Sequence, residues 1–512
     1  MVGTPNKNII DALCDPRDTL YIRPGGELGS ICDPNLVGII PPIAPGNFGS
    51  KAFRKEFNLR YAYVAGSMVG GISSTTMVTA MADFGFLGMF GASGLNPQAV
   101  EEAIVKLKKD LGHLSFGSCL IHSPMDPEWE EKVVSIYIDH GVTLVEASAF
   151  MQITPSLVRY RLHGLTTLPD GAINAPNRIM AKVSRLELAR RFFSPPPPKL
   201  VQDCLNRGWI TEQEASLASM IPMAQDLTAE ADSGGHTDFR PALTLWPSML
   251  RLADEFSRKF QYPQSLRVGG GGGLGTPAAI LAAQDLGLSY FVTGSVNQSC
   301  VESGLSEGAR LLLSKASQTD MSQAPAADMF ELGSKVQVLK YGTLFAPRAL
   351  KLAELYRQYQ ALEDIPADEV KSLEEKIFRK PLTEIWEETK RFFTQRDPAV
   401  LAKALASPKM KLALVFRWYL GQASRWAING VEDRRTDWCI FSGPSIGAFN
   451  EWVSGTYYAD PSHRKVADVA GLLLYGAAVL KRFTLARDLG LLSDDSYHGL
   501  SPLPPEELAS YI

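Results

Sequence analysis

The stretch SLRVGGGGGLGTPAAILAAQDLG, residues 265–287, runs from an apolar strand pattern through five consecutive glycines into a helix pattern. Because glycine loses more backbone entropy on folding than any other residue, such a run is unfavourable unless the fold requires it. One such requirement is a phosphate group that closely approaches backbone N–H groups, and the start of a helix favours that negative charge. The segment therefore predicts a phosphate-binding turn between a buried strand and a helix.

The same unit of strand followed by helix recurs along the chain from Tyr61 onwards. Continuous apolar runs are typical of parallel strands that are covered on both faces, and eight units in about 250 residues predict a (β/α)8 barrel. A doubly wound sheet is the alternative, but the glycine-rich turn follows the seventh strand and not the first, which favours the barrel. The eight runs are YAYVAG (61–66), FLGMF (86–90), LSFGSCL (114–120), TLVEAS (143–148), RIMAKVS (178–184), DLTAEA (226–231), SLRVGG (265–270) and SYFVTGS (289–295).

The barrel pattern divides the chain into three parts. Residues 1–60 are rich in proline and glycine and are predicted to form an N-terminal arm. Residues 61–315 form the predicted barrel, and 316–512 form a predicted helical C-terminal region in which apolar residues recur at helical spacing. The polar stretch SKASQTDMSQAPAAD, which follows Leu313, is predicted to be a linker.

One connection is too long for a simple crossover between strands. Residues 185–225, between the fifth and sixth strands, contain four consecutive prolines and two helix-like segments. Thr211, with Glu214 three residues later, matches the capping box that starts a helix. We predict a helical insertion on the C-terminal face of the barrel, where barrel enzymes have their active sites.

Composition excludes several classes of protein. The net charge of −4, without a basic stripe, argues against a nucleic-acid-binding protein. The N-terminus lacks the apolar core of a signal peptide, and the apolar stretch 466–480 is too short to span a bilayer, so we expect a buried helix and no membrane partner. The six cysteines form no CxxC pair, which predicts reduced thiols in the cytoplasm and no metal site.

Two glycine-containing turns lie where barrel enzymes commonly bind phosphate, after the seventh and eighth strands. The first turn is predicted at Gly269–Gly273, and the second contains Gly294 and Ser295. The spacing matches neither GxxxxGK[ST] of an ATP-binding loop nor the early glycines of a dinucleotide-binding fold. A flexible turn without a ligand is the alternative interpretation of either stretch.

Three further positions are candidates for chemistry. In AEADSGGHTD, Gly234 and Gly235 let the backbone pass close to a ligand and carry His236, which can transfer a proton near neutral pH or merely cap the following helix. Lys182 lies in an apolar strand and therefore either faces an anionic group at the barrel mouth or pairs with Glu146 or Glu230. At the end of the first strand, small residues around Met68 either let a flat group lie against the backbone or form a tight turn.

Together these stretches resemble the PfaD family, the flavin-dependent enoyl reductases of polyunsaturated fatty acid synthases and trans-acyltransferase polyketide synthases. That family is related to nitronate monooxygenases and to the flavin-dependent enoyl reductase of bacterial fatty acid synthesis. The resemblance extends from about residue 60 to residue 453. The matching stretches are YAYVAGSMVGGISS, GFLGMFGASGL, LIHSPMDPEWEE, NRIMAKVSR, IPMAQDLTAEADSGGHTD, GGGGGLGTPAA, FVTGSVNQ, VQVLKYGTLFAPRA and GPSIGAFNEWV.

The resemblance implies an FMN cofactor whose ring lies beside Gly66 and Met68 and faces His236. Lys182 would then stabilise negative charge on the reduced ring. Cys119 stands where the family pattern often has Asn, which changes an amide that donates and accepts into a weak thiol donor. The implied phosphate-binding residues are Gly270, Gly271, Gly272, Gly294 and Ser295.

The resemblance also implies an activity: reduction of the 2,3 double bond of enoyl thioesters on acyl carrier protein, in trans to a synthase, with NADPH or NADH as the hydride donor. In this interpretation the insertion and the C-terminal helices cover the substrate channel. The alternatives are a nitronate monooxygenase and a non-catalytic flavin-binding component of a synthase. The sequence leaves open the pathway, the chain length of the substrate and the oligomeric state, a homodimer included.

Overall fold

Eight parallel strands close into a barrel in the computed structural model, which describes residues 7–124, 126–492 and 500–512. The strands follow one another around the ring in chain order, and the eighth pairs with the first, with Val292 opposite Val64. The predicted (β/α)8 fold is confirmed. The strands are β1 (Tyr63–Ala65), β2 (Leu87–Phe90), β3 (Gly117–Ile121), β4 (Leu144–Ser148), β5 (Arg178–Val183), β6 (Asp226–Glu230), β7 (Arg267–Gly271) and β8 (Phe291–Thr293).

Each barrel strand is followed by a helix of the outer layer. The helix after β2 illustrates why: the Asn96 side chain accepts the N–H of Ala99, Pro97 occupies the first turn, and apolar residues recur at helical spacing on the buried face. The outer helices are Thr75–Asp83, Pro97–Leu111, Pro127–Asp139, Pro155–Leu162, Leu186–Phe193, Ala242–Phe260, Pro277–Asp285, Ser295–Gln298 and Glu307–Ser314.

The helical insertion lies beside the barrel and not over its C-terminal face. The helix Leu186–Phe193 first returns the chain to the opposite end of the barrel, where the carbonyl of Phe192 accepts the N–H of Ala224, just before β6. The insertion helices Pro198–Asn206 and Glu212–Leu217 then pack against the outer helix Pro155–Leu162 and its neighbours. The predicted capping box of Thr211 and Glu214 is confirmed, but the prediction that this segment covers the strand ends is wrong.

The first part of the N-terminal arm packs with the last long helix on the outside of the barrel, whereas Phe53 of the arm's second helix is buried among barrel residues. The arm contains the helices Lys7–Cys14 and Lys51–Glu56 and an antiparallel pair of strands, Leu20–Ile22 with Gly38–Ile40. The helix Val466–Asp488 packs against the outer helix that follows β7. Within the described chain, this helix alone is long and apolar enough to cross a membrane by length and composition, because it continues past the stretch 466–480 to Asp488, so the expectation from length is wrong. Most of the helix is buried inside the protein, as predicted for a core helix.

The C-terminal region combines strands with helices. The predicted linker after Leu313 instead forms the strand Met321–Pro325, which pairs with the strand Lys335–Leu339. The linker prediction is wrong because this polar stretch is paired in a hairpin in which only its first residues stay accessible, whereas Ala324 and Pro325 are buried. The helices of the region are Phe345–Gln358, Ala367–Leu373, Leu382–Arg396, Pro398–Ala406, Pro408–Asn429, Ser445–Trp452, Val466–Asp488 and Pro505–Leu508, with a π-helical turn at Glu374–Phe378.

A second hydrophobic core lies within this region and is separate from the core of the barrel. Phe345, Phe378, Phe416 and Tyr419 are fully buried in it and stack or meet edge to face. Aromatic side chains of this size contribute much of the apolar area that a small core can bury. The helical part of the C-terminal region is therefore a packed body of its own that rests on the barrel.

Candidate active site

The hairpin formed by the strands Met321–Pro325 and Lys335–Leu339 pairs with the loop after β6, which carries His236. The two residues Gly235–His236 form a short strand that pairs antiparallel with Lys335–Leu339, with His236 opposite Val336. The side-chain amide of Gln337 donates to Asp232 Oδ1 at 2.8 Å and to the carbonyl of Ser233 at 3.0 Å. The loop after β6 is therefore held in place by residues that are distant in the sequence.

Residues 441–445 lie against the turns after β6, β7 and β8. The N–H of Gly443 donates to Ser295 Oγ at 2.9 Å, and Gln298 Nε2 donates to the carbonyl of Phe441 at 2.6 Å. A Cβ at Gly234 would lie 2.8 Å from the backbone nitrogen of Ser442. The sequence alone did not assign this segment to the site, although the glycines of GPSIGAFNEWV were the signal that a backbone approaches closely there.

Helices of the C-terminal region also contact the rim of the barrel near β1 and β3. Arg396 pairs with Asp126 at 3.2 Å, in the loop after β3. A Cβ at Gly70, in the turn after β1, would lie 2.8 Å from Ile428 Cδ1. The region therefore arches over the carboxyl ends of the strands, where the side chains of a barrel active site converge.

Lys182 projects from β5 into a cluster with two carboxylates. Its Nζ lies 3.6 Å from Glu146 Oε2 on β4 and 3.9 Å from Glu230 Oε1 at the end of β6. The Glu146 side chain is fully buried, whereas that of Lys182 is 18% exposed. The predicted ion pairs are confirmed, and the Lys182 side chain is not fully enclosed.

Burial and charge decide the protonation of this cluster. Burial alone would lower the pKa of Lys182, but Glu146 and Glu230 outweigh it and raise that pKa above its ordinary value. Burial raises the pKa of Glu230, which Lys182 only partly offsets. Burial, with Glu146 nearby, also raises the pKa of the Cys119 thiol, so Cys119 is a neutral thiol and not a nucleophile.

Glu146 leaves one oxygen free inside the barrel. Its Oε2 accepts the N–H of Ser67 at 3.1 Å and also the hydroxyl of Ser67, whereas its buried Oε1 has no hydrogen-bond partner among the described residues. A buried carboxylate oxygen without a partner is unfavourable, and a ligand N–H would satisfy it. Gly66 and the partly buried Met68 flank Ser67 at the end of β1.

The glycine run is mostly strand and not turn. Gly269, Gly270 and Gly271 belong to β7, so the prediction of a turn that starts at Gly269 is wrong. A Cβ at Gly269 would collide with the ring of Tyr290, and one at Gly270 would lie 2.5 Å from Leu288 Cδ1. The N–H of Gly270 donates to the carbonyl of Tyr290 within the sheet. These glycines make room for large neighbouring side chains.

The turns proper begin at Gly272, and some of their glycines face open space. Gly272 has a φ of +85°, and a Cβ there would lie 2.8 Å from the backbone of Ala231. A Cβ at Gly273, at Gly294 or at Gly235 would meet no protein atom within 4 Å among the described residues. Glycine is therefore not needed at Gly294 to avoid a protein neighbour, and the open space suits a group that approaches the backbone.

These observations fit a phosphorylated flavin. The open backbone at Gly273 and Gly294 suits a phosphate, Ser295 adds a hydroxyl beside it, and the free Glu146 oxygen suits a ring N–H. Of the predicted cofactor residues, the structure brings Gly66, Met68, Cys119 and Lys182 to one group of strand ends. The other predicted cofactor residues lie together at the ends of the neighbouring strands β6, β7 and β8. They are Gly234, Gly235, Gly271, Gly272, Gly294 and Ser295.

Comparison with known proteins identifies the family. The crystal structure of the enoyl reductase domain of MlnA, from the macrolactin biosynthesis cluster of Bacillus amyloliquefaciens, matches with a TM-score of 0.82 and 35% sequence identity, over 87% of this chain and 100% of that chain. The chain belongs to the PfaD-type enoyl reductase family. Because the match covers so much of the chain, it includes most of the C-terminal region as well as the barrel.

Relatives of this enoyl reductase family member are named for polyunsaturated fatty acid synthesis and for polyketide biosynthesis. A polyunsaturated fatty acid synthase polypeptide of Thraustochytrium sp. is 43% identical over 88% of this chain and 30% of its own length. Polyketide biosynthesis protein PksE of Bacillus subtilis is 42% identical over 86% of this chain and 57% of its own length. The chain thus spans only part of these relatives. Residues 359–438 match the family described as [Acyl-carrier-protein] S-malonyltransferase, inserted helical domain.

Proposed function

We propose that this protein is an FMN-dependent enoyl reductase that reduces the 2,3 double bond of enoyl thioesters on acyl carrier protein. The observation that carries the proposal is the open backbone at Gly273 and Gly294 together with the buried cluster of Lys182 and Glu146 on strands of the same barrel. This arrangement supports a phosphate at one side of the barrel mouth and a polar ring at the other. Membership of the enoyl reductase family supports the choice of reaction.

In this proposal the backbone of the turns after β7 and β8 holds the phosphate, and Ser295 donates a hydrogen bond to it. Glu146 accepts a ring N–H through its free oxygen, and Gly66 and Met68 form the surface on which the ring lies. When bound, FMN would accept a hydride from NADPH or NADH and supply it to the β-carbon of the enoyl thioester. The protein itself contributes binding, orientation and charge.

Lys182 stabilises negative charge that develops beside it. Its raised pKa keeps the ammonium group charged at neutral pH, and a fixed positive charge at a largely buried site stabilises an anion more than it would in water. Glu146 and Glu230 hold that ammonium group in place from both sides. Lys182 is therefore assigned to charge stabilisation and not to proton transfer.

His236 is the proton donor to the α-carbon in this proposal. Its pKa is raised: burial opposes the charged form, but the Asp328 carboxylate beside it and Glu230 outweigh the burial. A larger fraction of the imidazole is therefore protonated near neutral pH, as a general acid requires. The backbone pairing of Gly235–His236 with the C-terminal hairpin holds the ring at the mouth.

The C-terminal region limits access to the strand ends and provides an extended surface for the carrier protein. It contacts the turns after β1, β3, β6, β7 and β8, and the protein that it places over the mouth reduces contact of the strand ends with water, which would strengthen electrostatic interactions inside. The segment that matches a helical domain of an acyl-carrier-protein transferase lies in this arch. We therefore propose that the enzyme acts in trans with the proteins of a polyketide or polyunsaturated fatty acid synthase.

The test is anaerobic re-oxidation of the flavin after reduction with NADPH. Crotonyl thioester would be supplied on acyl carrier protein, on pantetheine and on a short thiol. We expect the rate to fall in that order, because contacts with the carrier and with the pantetheine arm position the β-carbon. An aerobic assay with a nitronate runs beside it. Faster turnover of the nitronate, without re-oxidation by any thioester, would establish the monooxygenase instead.

A further inference from the structure

Asp328 of the C-terminal region contacts the imidazole of His236. It lies between the strands Met321–Pro325 and Lys335–Leu339, and its Oδ1 is 3.2 Å from His236 Nε2. The His236 side chain is 29% exposed and that of Asp328 is 52% exposed. The pair therefore lies at the entrance between the hairpin and the loop after β6, and not in the interior of either.

The backbone around this pair is restrained on the barrel side and on the hairpin side. Gly235 has a φ of +81°, which favours glycine and orients the next residue towards the hairpin. Thr237 Oγ1 donates to the carbonyl of Ala231 at 3.0 Å and closes the loop behind the histidine. The ladder between His236 and Val336 fixes the distance from the imidazole to the segment that carries Asp328.

Three charged groups face His236 from separate elements. Asp328 approaches from the hairpin, Glu230 from the end of β6 and Lys182 from β5. Asp328 and Glu230 favour the imidazolium form, whereas Lys182 and burial oppose it. Of the three, Asp328 is the one in direct contact with the ring, 3.2 Å from its Oδ1 to Nε2, and its own pKa is lowered by His236 in spite of burial.

We propose that Asp328 is a positioning residue for His236: its carboxylate accepts a hydrogen bond from Nε2–H and so leaves Nδ1–H as the group that donates to the substrate. This inference rests on the proposed function. In the proton transfer from the imidazolium to the substrate, the Nδ1–H bond breaks, the proton goes to the α-carbon of the enolate, and the electron pair stays on Nδ1. The hydrogen bond from Nε2–H to Asp328 persists throughout. A carboxylate that orients a histidine in this way selects its tautomer.

The first test measures the histidine without turnover. Nuclear magnetic resonance of protein with isotope-labelled histidine, with His236→Gln to assign the signal, gives the pKa and the tautomer of His236. We expect Asp328→Asn to lower this pKa and to remove the preference for the Nε2–H tautomer. Asp328→Glu keeps the charge and should restore much of both. The matched control is Asp320→Asn. Asp320 caps the helical turn just before the strand Met321–Pro325 and does not contact His236.

The second test is the pH dependence of enoyl turnover. An acid must be protonated, so activity is present below the pKa of His236 and is lost as the pH rises through it. Asp328→Asn should therefore move the basic limb of kcat to lower pH, with a smaller loss at the optimum than His236→Ala causes. Asp320→Asn should leave the limb in place.

An unchanged pKa and tautomer of His236 in Asp328→Asn would overturn the inference, as would a lowered pKa with an unmoved basic limb. These outcomes differ from failure of the proposed function. If no enoyl thioester re-oxidises the wild-type flavin, the function fails, whereas the resonance measurement still reports whether Asp328 controls His236.

Discussion

The glycines within strand β7 and the glycines at the strand ends occupy different surroundings. Gly269 and Gly270 lie against Tyr290, Leu288 and Trp246, so the space that a side chain would fill is already occupied by protein. At Gly273 and Gly294 that space is empty of atoms of the described residues. The first set is required by packing within the barrel, and the second set leaves the backbone accessible to a ligand.

This difference shows why a run of glycines is ambiguous in a sequence. Packing and ligand binding both remove the Cβ, and only the neighbours in space tell them apart. Substitutions in β7 should therefore change stability while each folded molecule keeps its function. A substitution at Gly294, where no positive φ requires glycine and no described protein atom lies within 4 Å of a Cβ, should change binding or turnover with little effect on stability.

The largest effect on turnover is expected at His236, which lies in the loop at the end of β6. His236→Ala removes the proposed acid, so turnover of a 2-enoyl thioester should fall by about 10²–10⁴-fold. Flavin content and reduction of the flavin by NADPH should stay close to wild type, because the hydride step does not use the imidazole. Stopped-flow measurement of the two half-reactions separates these steps. Full turnover in the variant would remove His236 from the chemistry.

A smaller effect, on stability, is expected at Gly270 within strand β7. Gly270→Val places methyl groups against Leu288 and Trp246, and such overpacking of a core destabilises by about 1–3 kcal/mol. Denaturant unfolding measures the loss, and the flavin content of the remaining folded protein should match wild type. Wild-type stability together with loss of flavin would place Gly270 in the cofactor site and break the distinction between the two sets.

Structural features that depend on a short stretch of sequence, or on a single residue's chemistry, could be predicted reliably. The eight apolar runs predicted all eight barrel strands, because a parallel strand buried on both faces is continuously apolar. Thr211 and Glu214 predicted a helix start for the same local reason. The ion pairs of Lys182 followed from the need of a buried charge for a partner.

Features that depend on distant residues were missed. The bulk of Tyr290 and Trp246 beside β7 is visible only in the folded barrel, so the turn was predicted to start too early. The insertion was placed on the wrong side because the helix before it first crosses to the opposite end of the barrel. Asp328 and Gly443 reach the site from the C-terminal region, and no local spacing relates them to His236 or Ser295.

The most direct test of the account compares the affinities of FMN and riboflavin, which differ only in the phosphate. If the phosphate makes two charge-assisted hydrogen bonds of about 1.5 kcal/mol each, we expect FMN to bind roughly 100-fold more tightly than riboflavin to the wild-type protein. Gly294→Val should remove this preference, whereas Gly421→Val, at a glycine with open space in the helix Pro408–Asn429, should keep it. Equal affinities for the two flavins in the wild type, or an unchanged preference in Gly294→Val, would contradict a phosphate site at the ends of β7 and β8.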